Sequence, residues 1–416
     1  MMPPLAALRT VSPWLAAALL LGGLYFPSAR AGVISMPLYF AHSAVILALL
    51  AALLFRRAGM FGGVPLMLAV ASQAILLAAT LFSPLPEYAW GAGISFLLLS
   101  LLLCARLRDL VAGRAVFRLF FAVNLVNLAA AALLTLRTPW LVDFVIENYS
   151  MAYPELVPAM LASGKPVLTF GSHSLAGFFF YAFFLLALEL YRATQRRVVL
   201  LASVPWIPMM IALNSVTSYI FAGVALAQLL AAAGWADRLA VALLSTAGTC
   251  LYAWAGYDLA EAAGWMDQLS AVMKSSENGL LGRYSAEGAL APNLSFIAQN
   301  PFSPIGLGFS DQLFFADSGP VDYLMRGSFP LLIAVYAGLF VFLRRNLWSS
   351  RHAWILFLVY LGFEIGYSNL RYPRTMLFLP FMVIFLNGVT FLEAQRAAGA
   401  ASRAMWGPGR AAWPAR

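Results

Sequence analysis

Apolar stretches of roughly 17 to 25 residues recur along the whole chain, each long enough to cross a hydrocarbon core of about 30 Å as a helix. In lipid every backbone N–H and C=O must be satisfied within the protein, so a chain built from such stretches is confined to helices. The pattern predicts about twelve spans, near residues 12–27, 33–55, 61–83, 89–105, 117–136, 168–190, 198–213, 215–233, 239–257, 322–343, 353–370 and 373–392. The stretch 198–233 is nearly continuous, broken only by Pro205, Pro208 and Asn214 to Ser218. Of 416 residues, 62% are hydrophobic and 10% charged, where a soluble domain carries about a quarter charged residues. The expected fold class is an all-α polytopic membrane protein, one transmembrane unit over residues 1–416.

Basic residues set the expected orientation. If the spans alternate, Arg56, Arg57, Arg106, Arg108, Arg114, Arg118, Arg192, Arg196, Arg197, Arg344, Arg345 and Arg351 share one side with the arginines of the 393–416 tail. Positive charge marks that side as cytoplasmic, with both termini there. The net charge of +9 then belongs to loops facing anionic lipid and gives no argument for nucleic acid. The run from Arg9 to Ala31 imitates a secretory signal, and an uncleaved first span is expected because every later segment has to stay in the membrane too.

Two external segments exceed simple turns. Residues 137–167 put Leu141, Phe144, Val145 and Asn148 on one helical face and restart after Pro154, which predicts short helices lying on the outer surface. Residues 258–320 form the largest polar region. An amphipathic helix is expected from Asp258 to about Lys274 and a second from Ser285 to Gln299, before "NPFSPIGLGFSD" returns the chain to the membrane.

Cys104 and Cys250 both fall in predicted spans, so no disulfide framework is expected. The external loops contain no Walker loop, GxSxG, HExxH, DxD or clustered metal ligands, so neither a cofactor nor a metal is expected.

Eight basic residues fall on the external side: Arg30, Arg137, Lys165, Lys274, Arg283, Arg326, Arg371 and Arg374. A guanidinium is a permanently charged fork matched to phosphate oxygens. Arg371 and Arg374 stand at i and i+3 around Tyr372 and Pro373, at the start of the last span, where the helix N-terminus adds partial positive charge. Snorkelling to headgroups is the plainer reading of an interfacial arginine. Arg283 lies between the two loop helices, with Glu277 and Glu287 as ordinary salt-bridge partners, and Arg326 follows Asp322 by one turn, which favours an ion pair. Asp317 and Asp322 could orient a sugar hydroxyl, or Asp317 or Ser318 could cap span ten. His352 falls in a basic cytoplasmic loop, His42 inside an apolar span, and His173 near the outer end of span six. Glu364 stands out as an acid inside an apolar segment, within reach of an inward arginine such as Arg371.

The segments "TFGSHSLAGFFFYAFFLLALELY", "LNSVTSYIFAGVALAQLL" and "GRYSAEGAL", "NPFSPIGLGF", "DSGPVDYLMRGSFPLLI", taken in order over residues 168–343, resemble the O-antigen polymerase and O-antigen ligase superfamily. The resemblance implies a GT-C-like membrane glycosyltransferase of the bacterial inner membrane, with a large periplasmic helical loop. Its substrate would be an undecaprenyl-pyrophosphate-linked oligosaccharide presented among membrane lipid at the periplasmic face, and a chain-length regulator is a further candidate partner. Ligases of the superfamily usually carry a loop histidine, whereas no histidine occurs from Asp258 to Gly327, which favours a polymerase. The resemblance implies catalytic roles for Arg283, Asp317 and His173 and pyrophosphate binding by Arg371 or Arg374; Arg326 and Tyr372 join that pyrophosphate site as candidates from their place in the sequence. A ligase-type transfer, a lipid-linked oligosaccharide flippase and a structural subunit are the competing readings.

Overall fold

The computed structural model describes residues 8–25, 63–150, 155–232, 290–300, 303–310 and 318–406, with a few isolated positions between them, Tyr284 among these. The expected spans 33–55 and 239–257 and the expected helix after Asp258 lie almost wholly outside the described residues. The described helices are α1 (Pro13–Tyr25), α2 (Val64–Leu81), α3 (Trp90–Cys104), α4 (Arg114–Thr135), α5 (Pro139–Tyr149), α6 (Leu156–Ala162), α7 (His173–Thr194), α8 (Arg197–Leu201), α9 (Trp206–Ala212), α10 (Val216–Ala232), α11 (Ala291–Gln299), α12 (Gly319–Asn346), α13 (Ser350–Glu364) and α14 (Pro373–Trp406). Four two-residue strands join them: β1 (Arg9–Thr10) pairs in parallel with β3 (Leu110–Val111), and β2 (Glu87–Tyr88) antiparallel with β4 (Gly308–Phe309).

Among the described residues five helices are long and apolar enough to cross a membrane: α2, α4, α7, α12 and the Pro373–Ala398 part of α14. This is the make-up of a helical membrane protein. The sequence of α7, "HSLAGFFFYAFFLLALELYRAT", is apolar on nearly every face, which suits a helix surrounded by others. Its spanning window is wholly buried, against 22% for α2, so α7 sits at the centre and α2 at the margin. Phe178, Phe180 and Phe183 fill that centre against Tyr360 and Trp206. Ser172 caps α7 by accepting from the Leu175 N–H at 3.2 Å, and Gln195 ends it in the left-handed region at φ 56°.

The predicted span 198–213 is two short helices, α8 and α9. Pro205 and Pro208 lack the N–H that would continue the ladder. Residues 137–167 contain two short helices, α5 and α6, where the sequence predicts short helices, yet the face that α5 buries is Leu141, Val145 and Tyr149, at steps of four, while Phe144 is half exposed.

Glu364 is not the lone acid inside an apolar helix. Glu189 of α7 is fully buried, held by Arg192, Arg351 and the Nε2 of His352 at 3.0 Å. His352 is therefore a buried partner in the first turn of α13.

Candidate functional site

The site is built on a broken helix. Pro330 cannot donate to the carbonyl of Arg326 four residues earlier, and Gly327 and Ser328 leave helical geometry, Ser328 at φ 54°. The break frees two carbonyls. The N–H of Ile305 donates to the carbonyl of Met325 at 2.8 Å and that of Gly306 to the carbonyl of Arg326 at 3.0 Å. The return segment thus completes the ladder that the proline interrupts.

That segment is anchored on its other side as well. Leu307 N–H donates to Thr80 Oγ1 at 3.0 Å, and β4 pairs with β2. Gly306 sits at φ 55°, and a Cβ there would lie 2.2 Å from the backbone nitrogen of Thr80, so only glycine fits.

The first half of α12, Gly319 to Arg326, is in consequence a separate short helix. Ser318 caps it by accepting from Val321 N–H, and Tyr284 Oη meets Ser318 Oγ at 2.8 Å while donating to the carbonyl of Ile365 at 2.7 Å. Gly319 packs against the Glu364 carboxylate so closely that a Cβ would fall 1.7 Å from Oε2. Glu364 Oε1 accepts the Leu370 N–H at 2.5 Å, which ties α13 to the turn carrying Arg371.

Asp322 and Arg326, one turn apart on this half-helix, pair at 2.9 Å through Nε and Oδ1, and both are buried. Arg326 Nη1 also donates to the carbonyl of Gly306 at 2.8 Å. Arg371 reaches the same carboxylate from the 3-10 turn Asn369–Arg371, with Nη2 at 2.9 Å from Oδ2, and its guanidinium lies 5.0 Å over the Phe96 ring. Two guanidiniums around one carboxylate leave a positive charge in place. Arg371 is part-exposed, and with Arg326 it lines a cavity of about 360 Å³ together with Tyr367, Ser368 and Tyr372. The remaining wall comes from Ala89, from the small residues Gly91, Ala92 and Ser95 of α3, and from Phe309 and Pro373. The volume lies within the ordinary range for a small-ligand site.

Arg374 does not join this cavity. Its guanidinium is enclosed and donates to the carbonyls of Thr169 and Leu24, with the Tyr149 ring 5.3 Å away. Burial raises the Tyr149 phenol above its ordinary pKa, and the Arg374 charge opposes that shift. The i, i+3 spacing of Arg371 and Arg374 fails to bring them to one face because Tyr372 between them is extended, at φ −78° and ψ 124°. His173 is the half-buried first residue of α7, outside the cavity wall. Burial lowers the ammonium of Lys165, in the turn after α6. Arg283 and Asp317 lie outside the described residues.

Of the residues singled out in the sequence, the structure therefore gathers Arg326, Arg371 and Tyr372. Tyr367, a sequence neighbour of the arginine pair, lies on the same wall, and the structure adds Phe96 and the clamp of Asp322 on Arg371. No signal in the sequence links Phe96 to Arg371. No protein-family model, curated protein or solved structure matches this chain.

Proposed function

We propose that the protein is a metal-independent polysaccharide polymerase. It transfers a growing glycan from undecaprenyl pyrophosphate onto the next lipid-linked repeat unit at the periplasmic face of the bacterial inner membrane, within a GT-C-like fold of about twelve spans. The observation that carries this reading is the meeting of Arg326 and Arg371 in one cavity, both oriented by Asp322.

The acceptor hydroxyl oxygen attacks the anomeric carbon of the donor glycan. The bond from that carbon to the pyrophosphate oxygen breaks, and its electron pair leaves on the lipid pyrophosphate. Arg371 meets that developing charge, with Arg326 behind it, because a fixed fork stabilises a leaving phosphate without reorganising. Tyr367 and Tyr372, whose rings meet edge to face at 6.0 Å, offer a sugar ring an apolar wall. In this reading Asp317 takes the hydroxyl proton and Arg283 serves as a third cation, roles that rest on the sequence alone because both residues lie outside the described ones.

The surface glycan of a deletion strain tests this. Loss of a polymerase leaves single-repeat glycan on the surface. Absence of any attached glycan would point to ligation instead, and repeats trapped inside the cell would point to flipping.

A further inference from the structure

A larger cavity, about 740 Å³, lies near the other end of the bundle, where the start of α4, the end of α7, α8 and the later part of α14 meet. Pro373 lines the first cavity and Leu392 the second. The α14 run between them is roughly 28 Å at 1.5 Å per residue. That separation matches the thickness of a hydrocarbon core, about 30 Å.

Three arginines line this second cavity. Arg114 and Arg118 stand one turn apart on α4, and Arg196 lies in the turn between α7 and α8. All three are exposed, and no carboxylate contributes to the wall. Among the described residues none of the three forms an ion pair. Like charges gathered this way repel unless an anion lies between them. The rest of the wall is mainly apolar, with Phe121 and Leu125 following Arg118 along α4 and Leu392 contributed by α14. A free phosphate would meet the arginines and leave that apolar wall uncovered. A phospholipid meets both: its phosphate takes bidentate bonds from the guanidiniums, and its acyl chain covers Phe121 and Leu125.

We propose that this cavity is a specific site for an anionic phospholipid. The site does not depend on the glycan chemistry, and the arginine bias of the sequence puts it at the cytoplasmic leaflet.

The test uses the full chain in phosphatidylcholine nanodiscs doped with phosphatidylglycerol, with bound lipid counted by native mass spectrometry and unfolding followed by melting temperature. Wild type should retain phosphatidylglycerol at least fivefold over phosphatidylcholine and melt several degrees higher with it, and inorganic phosphate should not compete. The double variant Arg114→Gln, Arg118→Gln should lose the preference while melting like wild type in pure phosphatidylcholine. Arg106→Gln with Arg344→Gln removes the same charge from other exposed arginines and should keep it. No preference in wild type, equal loss in both double variants, or competition by inorganic phosphate would each overturn the proposal. Should the double variant fold poorly, Arg196→Gln alone is read the same way, with a partial loss expected and an unchanged preference counting against the site.

Discussion

Arg371 crosses from the turn before the last helix to Asp322 on the first half of α12, 2.9 Å from guanidinium to carboxylate, and shares that carboxylate with Arg326. The arrangement fixes the orientation of two forks while leaving the outer one in contact with the cavity.

Arg371→Lys keeps the charge and loses the fork. If Arg371 holds a lipid pyrophosphate at two points, the lysine variant should lower polymer formation by one to two orders of magnitude, a barrier change of about 1.4–2.7 kcal/mol. Arg371→Ala should cost more. Rates are compared at equal protein level, and a lysine variant with the wild-type rate would leave only headgroup anchoring for this residue.

Asp322→Asn removes the carboxylate that both arginines share. Arg326 then stays buried without its counter-charge, and breaking a buried pair from one side costs about 3–5 kcal/mol. The expected result is a lower melting temperature in detergent together with lost activity. Unchanged melting would mean that the ion pair is not what holds the half-helix.

Arg374 carries the opposite expectation. Its hydrogen bonds go to backbone carbonyls of α1 and of the turn before α7, and bonds from a charged donor contribute about 1.5–3 kcal/mol each. Arg374→Met should reduce folded yield and melting temperature, while the activity of each folded molecule stays within a few-fold of wild type. A folded variant with no activity would return Arg374 to the site.

Gly306→Ala tests the return segment. The added methyl has no room against Thr80, and φ 55° disfavours any L side chain. The segment should detach from the helix break, exposing it to limited proteolysis and lowering activity at least tenfold with insertion unchanged. A protease-resistant, active variant would show that the segment does not need this docking.

The sequence made the apolar helices and the pairing of Asp322 with Arg326 legible, because both follow from spacing along one helix. It also pointed to Ser318 as a cap, and Ser318 is one. The reach of Arg371 to Asp322 was not legible, since it depends on how α13 and the turn after it pack against α12. The parting of Arg371 and Arg374 was hidden for a local reason: the face rule holds only through continuous helix, and the extended Tyr372 interrupts it. Pro330 was the overlooked signal in "MRGSFPLLI". A proline there frees the Arg326 carbonyl, and that carbonyl now receives Gly306.

The most direct measurement supplies purified protein in nanodiscs with a lipid-linked single repeat unit and follows polymer and free undecaprenyl pyrophosphate together. Polymerisation through Arg371 requires wild type to release one undecaprenyl pyrophosphate for each bond made, and Arg371→Ala to lose both products in parallel at equal protein. Wild type that makes no polymer from this substrate, or an Arg371→Ala variant that makes it at the wild-type rate, would contradict it.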